Sequence, residues 1–219
     1  MKRSKRTIKA PKRFETVAAV QAVVPHRPIE TLTMADLATN AHRTEWEDAM
    51  AAEHASLLTN DVWVLTNLPK GRKALKSKWV WKVKYLSTGE IKRFKAHLVI
   101  KGFLQIAGVD FTDTFAPVVR LDSLRTVQLD IKTAFLNGEL DETIYMVQPQ
   151  GFEVPGEEGK VCLLKKALYG LKQATRQWHK KLDVFLCTLG FKRCYKDQCI
   201  YVLRDADNAV SALPCTWMT

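Results

Sequence analysis

Hydrophobic and polar positions change rhythm several times along the chain. Residues 41–61, AHRTEWEDAMAAEHASLLTND, are rich in helix formers, and Trp46, Met50 and Leu57 fall at helical spacing before an Asn60-Asp61 stop. A helix is expected there. VWVLT follows as a short strand and NLPKGRK as a turn. KWVWKVKYL then alternates: Trp79, Trp81, Val83 and Tyr85 point one way, and Lys78, Lys82 and Lys84 the other. After the turn STGE, the run IKRFKAHLVIKGF carries Arg93, Lys95 and His97 at the same period of two. The two runs predict a β-hairpin with an aromatic inner face and a cationic outer face.

Beyond the hairpin, DFTDTFAPVVRLDSLRTV reads as a loop and the start of a helix. QLDI fits a buried strand end, and KTAFLNG turns sharply away from it. Asp130 stands in that apolar run, where a carboxylate is costly unless something cationic meets it. IYMVQPQGF is a strand entering a Pro/Gly turn. Farther on, Trp178, Leu182, Phe185, Leu186 and Leu189 form the apolar stripe of an amphipathic helix, read as core, with Gly190 just past its end. CIYVL is one more strand. Helices and strands mix without a steady βαβ rhythm, so the expected class is α+β.

Composition alters this picture in two places. The net charge of +11 is uneven: Lys2, Arg3, Lys5, Arg6, Lys9, Lys12 and Arg13 crowd the first residues with no acid among them. Residues 1–40 are therefore expected to be a basic, solvated tail or linker. The second cluster lies on the hairpin, and a two-stranded cationic ribbon suits a polyanion, either nucleic acid or nucleotide phosphate. Its plainer reading is a solvated edge whose lysines block aggregation. The cysteines, Cys162, Cys187, Cys194, Cys199 and Cys215, are odd in number and irregularly spaced. They are expected to be reduced, in a cytoplasmic or nuclear protein, and no Cys-x-x-Cys pair supports zinc at His179, Cys187, Cys194 and Cys199. The longest apolar run, near residues 17–24, is too short to span a bilayer, and the start lacks the apolar core of a secretory signal.

Six blocks then stand together in order: WEDAMAAEHASLL, KWVWKVKYLSTGEIKRFKAHLVIKGF, GVDFTDTFAPVVRLDSLR, QLDIKTAFLNGELDETIYMVQPQGF, KALYGLKQATRQWHKKLD and CIYVL. In that order, from about residue 42 to 203, they resemble the reverse transcriptase of copia-type LTR retrotransposons. The resemblance implies a right-hand polymerase, with fingers-like residues 41–127 and a partial palm at 128–203. It implies two divalent metals (Mg2+ or Mn2+), one activating a primer hydroxyl and one steadying pyrophosphate. The partners it implies are an RNA or DNA template-primer and deoxynucleoside triphosphates, without a membrane. Asp130 matches the first palm aspartate. Phe135 matches the aromatic residue beneath the nucleotide sugar, whose bulk excludes a 2′-hydroxyl. Tyr169, Gly170, Lys172 and Gln173 match the motif lining the nucleotide and template pocket, where glycine lets the backbone come close. The cationic hairpin corresponds to the fingers, which makes Lys82 and Lys95 candidate contacts to triphosphate or template.

The chain departs from the family pattern at four places. His97 replaces an arginine, and Thr175 a proline. About twenty residues, room for an amphipathic helix, are missing between Val127 and Gln128. The Tyr-x-Asp-Asp turn expected after CIYVL is absent; RDADNAVSALPCTWMT follows, in which Asp205 and Asp207 are expected to be loop residues without strand–turn–strand context. Trp and Met have single codons, so CTWMT read one base out of frame forces Asp-Asp at its end and permits Tyr-Val before it. Residues 204–219 are therefore expected to be a frameshifted tail. The resulting expectation is an inactive reverse-transcriptase fragment. A noncatalytic nucleic-acid-binding remnant and a product that never folds are the alternatives.

Overall fold

The computed structural model describes residues 33–117, 131, 133–204 and 210–215. It is a mixed α and β structure of three helices and three sheets among those residues. The first helix, α1 (Met34–Leu37), lies within the stretch assigned to the tail. Thr33 and Asp36 cap it reciprocally, and Leu37 is buried in the main core. Helix α2 (Arg43–Thr59) follows, two residues inside each of its expected ends.

Strands β1 (Trp63–Thr66), β2 (Ala74–Leu75), β5 (Glu139–Val147) and β6 (Val161–Lys166) form one sheet in the order β1-β6-β5-β2. β2 and β5 are parallel; the other two pairings are antiparallel. β2 and β6 lay in stretches that periodicity had not assigned to strands.

The hairpin forms as expected from β3 (Ser77–Tyr85) and β4 (Ile91–Ile100). Its register pairs Trp79 with Leu98, Trp81 with Ala96 and Val83 with Phe94 on the inner face. A bulge between Lys84 and Tyr85 breaks the alternation, and Tyr85 at the ribbon's end is exposed, not inward. α2 packs across this inner face, with Trp46 meeting Phe94 edge-on at 4.6 Å between centroids. Trp46, Met50, Leu57, Leu98, Ile100 and Ile144 are among the residues of the main core.

Helix α3 (Ala174–Thr188) packs on the third sheet, of β7 (Lys192–Arg193), β8 (Ile200–Arg204) and β9 (Val210–Pro214). Trp178, Leu182, Leu186, Tyr201 and Cys215 make the second, smaller core. Two expectations fail here. Phe185 and Leu189 are more than half exposed, not core. Residues four apart drift about 40° per step around a helix. The sheet follows the drifting row Trp178–Leu182–Leu186 and leaves its neighbours open among the described residues. The expected lack of strand context in the tail also fails: β9 pairs antiparallel with β8, Tyr201 opposite Leu213 and Arg204 opposite Val210. Asp205 and Asp207 lie in the connection at 205–209, outside the described residues.

A polar cluster clamps α3 to the third sheet. Tyr201, fully buried, donates its hydroxyl hydrogen to Asp183 Oδ1 at 2.8 Å, and His179 Nε2 lies 3.5 Å from the same hydroxyl. Arg193 donates to both Asp183 oxygens, from Nε at 3.0 Å and from Nη2. Burial pushes the Asp183 carboxyl up, but Arg193 and Tyr201 outweigh it and hold the group below its ordinary range. Burial, with Arg193 adding to it, lowers the His179 imidazole, and burial alone lowers His54. A lowered folded value means that the unfolded chain binds the proton more readily, so both histidines contribute stability above pH ~6.5 that is lost as pH falls. The thermal midpoint is therefore expected to fall between pH 7 and 5, before carboxylates protonate. The His54→Gln/His179→Gln variant should have a flatter profile. An equal slope in that variant would remove the histidines as its cause.

Candidate functional site

β6 ends in a turn at Tyr169-Gly170 that leads into α3, and this turn is pressed against the end of the ribbon. Ile100 N donates to Tyr169 O at 2.8 Å. Gly170 has φ +92, and a Cβ there would stand 2.1 Å from Ile100 O. Gly102, just beyond β4, approaches from the other side: its Cβ would stand 2.0 Å from Gly170 O. Two glycines thus let two backbones touch where any side chain would hold them apart.

Aromatic rings gather around this contact. Phe135 sits on a 3-10 turn (Ala134–Asn137) and meets Tyr169 edge to face at 4.9 Å between centroids. The His97 ring lies 5.4 Å from that of Tyr169 between centroids, and His97 Nδ1 is 3.2 Å from Glu53 Oε1 on α2. Thr133, just before the 3-10 turn, has φ +52, a conformation uncommon for a β-branched residue. The structure therefore brings Phe135 and Tyr169 together and adds His97 and Glu53 to them.

Lys172 and Gln173 serve different ends. The Lys172 ammonium lies over the Phe111 ring, 4.5 Å from its centroid. Gln173 is fully buried, and its amide is engaged within the protein: Nε2 donates to Asp110 O at 2.8 Å and to Glu142 Oε2 at 3.2 Å, and Oε1 accepts from Gln105 Nε2 at 3.0 Å. Gln105 Oε1 in turn accepts the Lys172 backbone N–H at 2.8 Å. Sequence reasoning missed Gln105. Its signal was a lone amide in the apolar run GFLQI, a setting in which a buried polar side chain must find partners.

Lys82 and Lys95 stand directly opposite each other on the outer face of the ribbon. Asp130 lies outside the described residues, as does most of the segment before it. The carboxylates that are described nearby are held by protein donors: Asp141 by Lys180 at 2.6 Å and Gln177 at 3.1 Å, Glu139 by Lys181 at 2.8 Å, and Asp110 by the Ile106 N–H at 2.9 Å. The Lys180 contact, with Gln177 adding to it, lowers Asp141; Lys181 does the same to Glu139. Among the described residues no group of three His, Cys, Asp or Glu side chains could hold a metal ion. They do not by themselves supply a two-metal donor set. The five cysteines are free, and burial pushes Cys162 up to about 12.

Residues 60–213 match a family described as "Reverse transcriptase (RNA-dependent DNA polymerase)". That span is more than two thirds of the chain, which belongs to this family. Its relatives include the Retrovirus-related Pol polyprotein from transposon TNT 1-94 of Nicotiana tabacum, 43% identical over 191 residues. They also include those from transposons RE1 and RE2 of Arabidopsis thaliana, 38% and 37% identical. The alignments cover 82%, 77% and 73% of this chain, but the chain spans only 14%, 12% and 12% of those polyproteins. The chain thus resembles the reverse-transcriptase portion of copia-type retrotransposon polyproteins, as its six blocks anticipated. In all three alignments the aligned length exceeds the number of residues this chain contributes, so the relatives carry internal residues that it lacks. No solved structure matches.

Proposed function

We propose that this chain carries the fingers and part of the palm of an RNA-directed DNA polymerase and that it is catalytically silent as it stands. The observation that carries the first half is the Gly102–Gly170 contact. It fixes the cationic ribbon against the turn that presents Tyr169 to Phe135, as a pocket between fingers and palm requires. In this reading Phe135 supports the sugar of a deoxynucleotide and excludes a 2′-hydroxyl, Tyr169 braces Phe135, and Gly170 keeps the floor of the pocket at backbone level. Lys82 and Lys95 hold phosphate, Lys172 lies at the template side, and Gln173 keeps the turn rigid from beneath. The partners are a template-primer and deoxynucleoside triphosphates.

The second half rests on the donor set. A pair of divalent ions, when bound, supplies the activation of the primer hydroxyl and the stabilisation of the leaving pyrophosphate. Asp130 is one ligand for them. The Tyr-x-Asp-Asp turn that would bring two more is missing from the sequence, and the acids near the pocket are paired with lysines and amides. A single carboxylate cannot hold two metal ions in place. The expected result is that purified chain gives no magnesium-dependent extension of a primed RNA or DNA template. Extension that Asp130→Asn abolishes would overturn the reading.

A further inference from the structure

Two of the five cysteines face each other across the third sheet. Ile200 lies opposite Pro214 at the end of the β8–β9 pairing, and one step farther the Cys215 N–H donates to Cys199 O at 2.8 Å. Cys199 and Cys215 are therefore directly opposed in a hydrogen-bonded antiparallel pair, where Cα atoms stand about 5.5 Å apart. A disulfide needs a separation of about 4.4–6.8 Å, so the bond fits without displacing either strand. Cys199 is fully buried, and Cys215 is 8% exposed. Burial pushes both thiols up to about 11, with Asp197 and then Cys215 adding to the rise at Cys199. The other three cysteines are placed elsewhere. Cys162 is in the main core, and Cys187 is exposed on α3. Cys194 donates its N–H to Ile200 O at 2.8 Å, which sets it opposite Ile200 and so on the other face of the sheet from Cys199.

We propose that Cys199 and Cys215 are a thiol–disulfide switch, which fastens β9 to β8 when the chain meets a disulfide oxidant such as oxidised glutathione. The chemistry is thiol–disulfide exchange. The Cys215 thiolate, the less deeply buried of the two, attacks one sulfur of the oxidant, breaks its S–S bond and releases one glutathione thiolate. The Cys199 thiolate then attacks the Cys215 sulfur of the mixed disulfide and releases the second. The two thiol protons pass to the two departing thiolates; the cysteines lose two electrons and the oxidant gains them. In the closed sheet both thiols are sealed and mostly protonated at neutral pH, so oxidation waits for β9, which lies at the sheet's edge, to lift. Residue 215 lies beyond the family match, which ends at 213, so the switch does not rest on the polymerase reading.

The test is incubation of the full chain with oxidised glutathione, alkylation of the remaining thiols, and mass analysis of tryptic peptides before and after reduction. Trypsin cuts after Lys196 and Arg204, so the two cysteines fall on separate peptides, 197–204 and 205–219, and the other three on peptides of their own. Exposed Cys187 should take up glutathione first. The linked pair of peptides should then accumulate, in at least about tenfold excess over any other cysteine pairing, because the fold holds the two sulfurs together. In concentrated urea that preference should vanish, since loop closure favours the nearer pairs Cys194–Cys199 and Cys187–Cys194. Closing a loop of about fifteen residues should raise the thermal midpoint of the oxidised chain about 5 °C above that of the reduced one. Cys215→Ala should lose both the link and the rise. The same pairing pattern in native buffer as in urea would overturn the proposal. So would free thiols, or glutathione caps without a link, at 199 and 215 once Cys187 is fully capped. A midpoint unchanged or lowered by the bond would mean that it does not fasten the strand, and would overturn the switch as well.

Discussion

Replacing Gly170 with alanine should leave little folded protein at moderate urea. The new Cβ meets two penalties at once. A left-handed φ costs an alanine about 1–2 kcal/mol. The larger penalty is the overlap with Ile100 O, a backbone oxygen at the end of a paired strand that cannot step aside without losing the Ile100–Tyr169 hydrogen bond. A combined loss of about 4 kcal/mol is a large part of the 5–15 kcal/mol that a domain has. Gly89 makes the control. It also has a left-handed φ, but nothing lies within 4 Å of its Cβ position, so Gly89→Ala should cost only the φ penalty of about 1–2 kcal/mol. Urea unfolding of the two variants separates conformational strain from collision, and equal losses would mean that the backbone contact is looser than the geometry requires. Gly102→Ala tests the same contact from the other side, without a φ penalty.

Trp46→Ala should be nearly as severe. Trp46 is buried beneath the ribbon and meets Phe94 of β4 edge-on. Truncating a buried tryptophan costs about 3–5 kcal/mol, the lost transfer energy plus the cavity left behind. Phe185→Ala, on an aromatic residue that is more than half exposed, should change stability by less than about 0.5 kcal/mol. A small effect at Trp46 in urea unfolding would mean that α2 is not needed to keep the ribbon's inner face dry.

The contrast between those residues shows where sequence was legible. The ribbon could be read almost residue by residue because a strand has a period of two, and Trp79 and Trp81 on one side with Lys78 and Lys82 on the other admit one orientation. The alternation failed only at Tyr85, where a bulge resets it. On α3 the helical period was right but the covered face was not, because which part of an apolar stripe is buried depends on what lies against it. β2 is two residues long and is held by a parallel partner 71 positions away, so no local pattern marks it. The pairing of β9 with β8 was hidden for a related reason: its run VSALP is short and is marked as a strand only by the partner beside it. Within the site, motif matching pointed to Tyr169, Gly170 and Phe135, and the structure adds that the first and last touch. Motif matching could not indicate Glu53 or Gly102, whose roles exist only through contacts with residues far away in the chain, and Gln105 was marked only by a lone amide in an apolar run.

The order of the sheets also sets the order of assembly during synthesis. β3 and β4 are joined by a short turn and can pair as soon as both have left the ribosome. β1 cannot: Trp63 pairs with Leu164 and Thr66 with Val161, so its edge waits while about a hundred further residues are made. Throughout that interval an apolar strand with free backbone donors and acceptors is open to other chains. Slowing translation between β1 and β6 should therefore increase aggregation of the nascent chain, while the same delay placed after β6 should not.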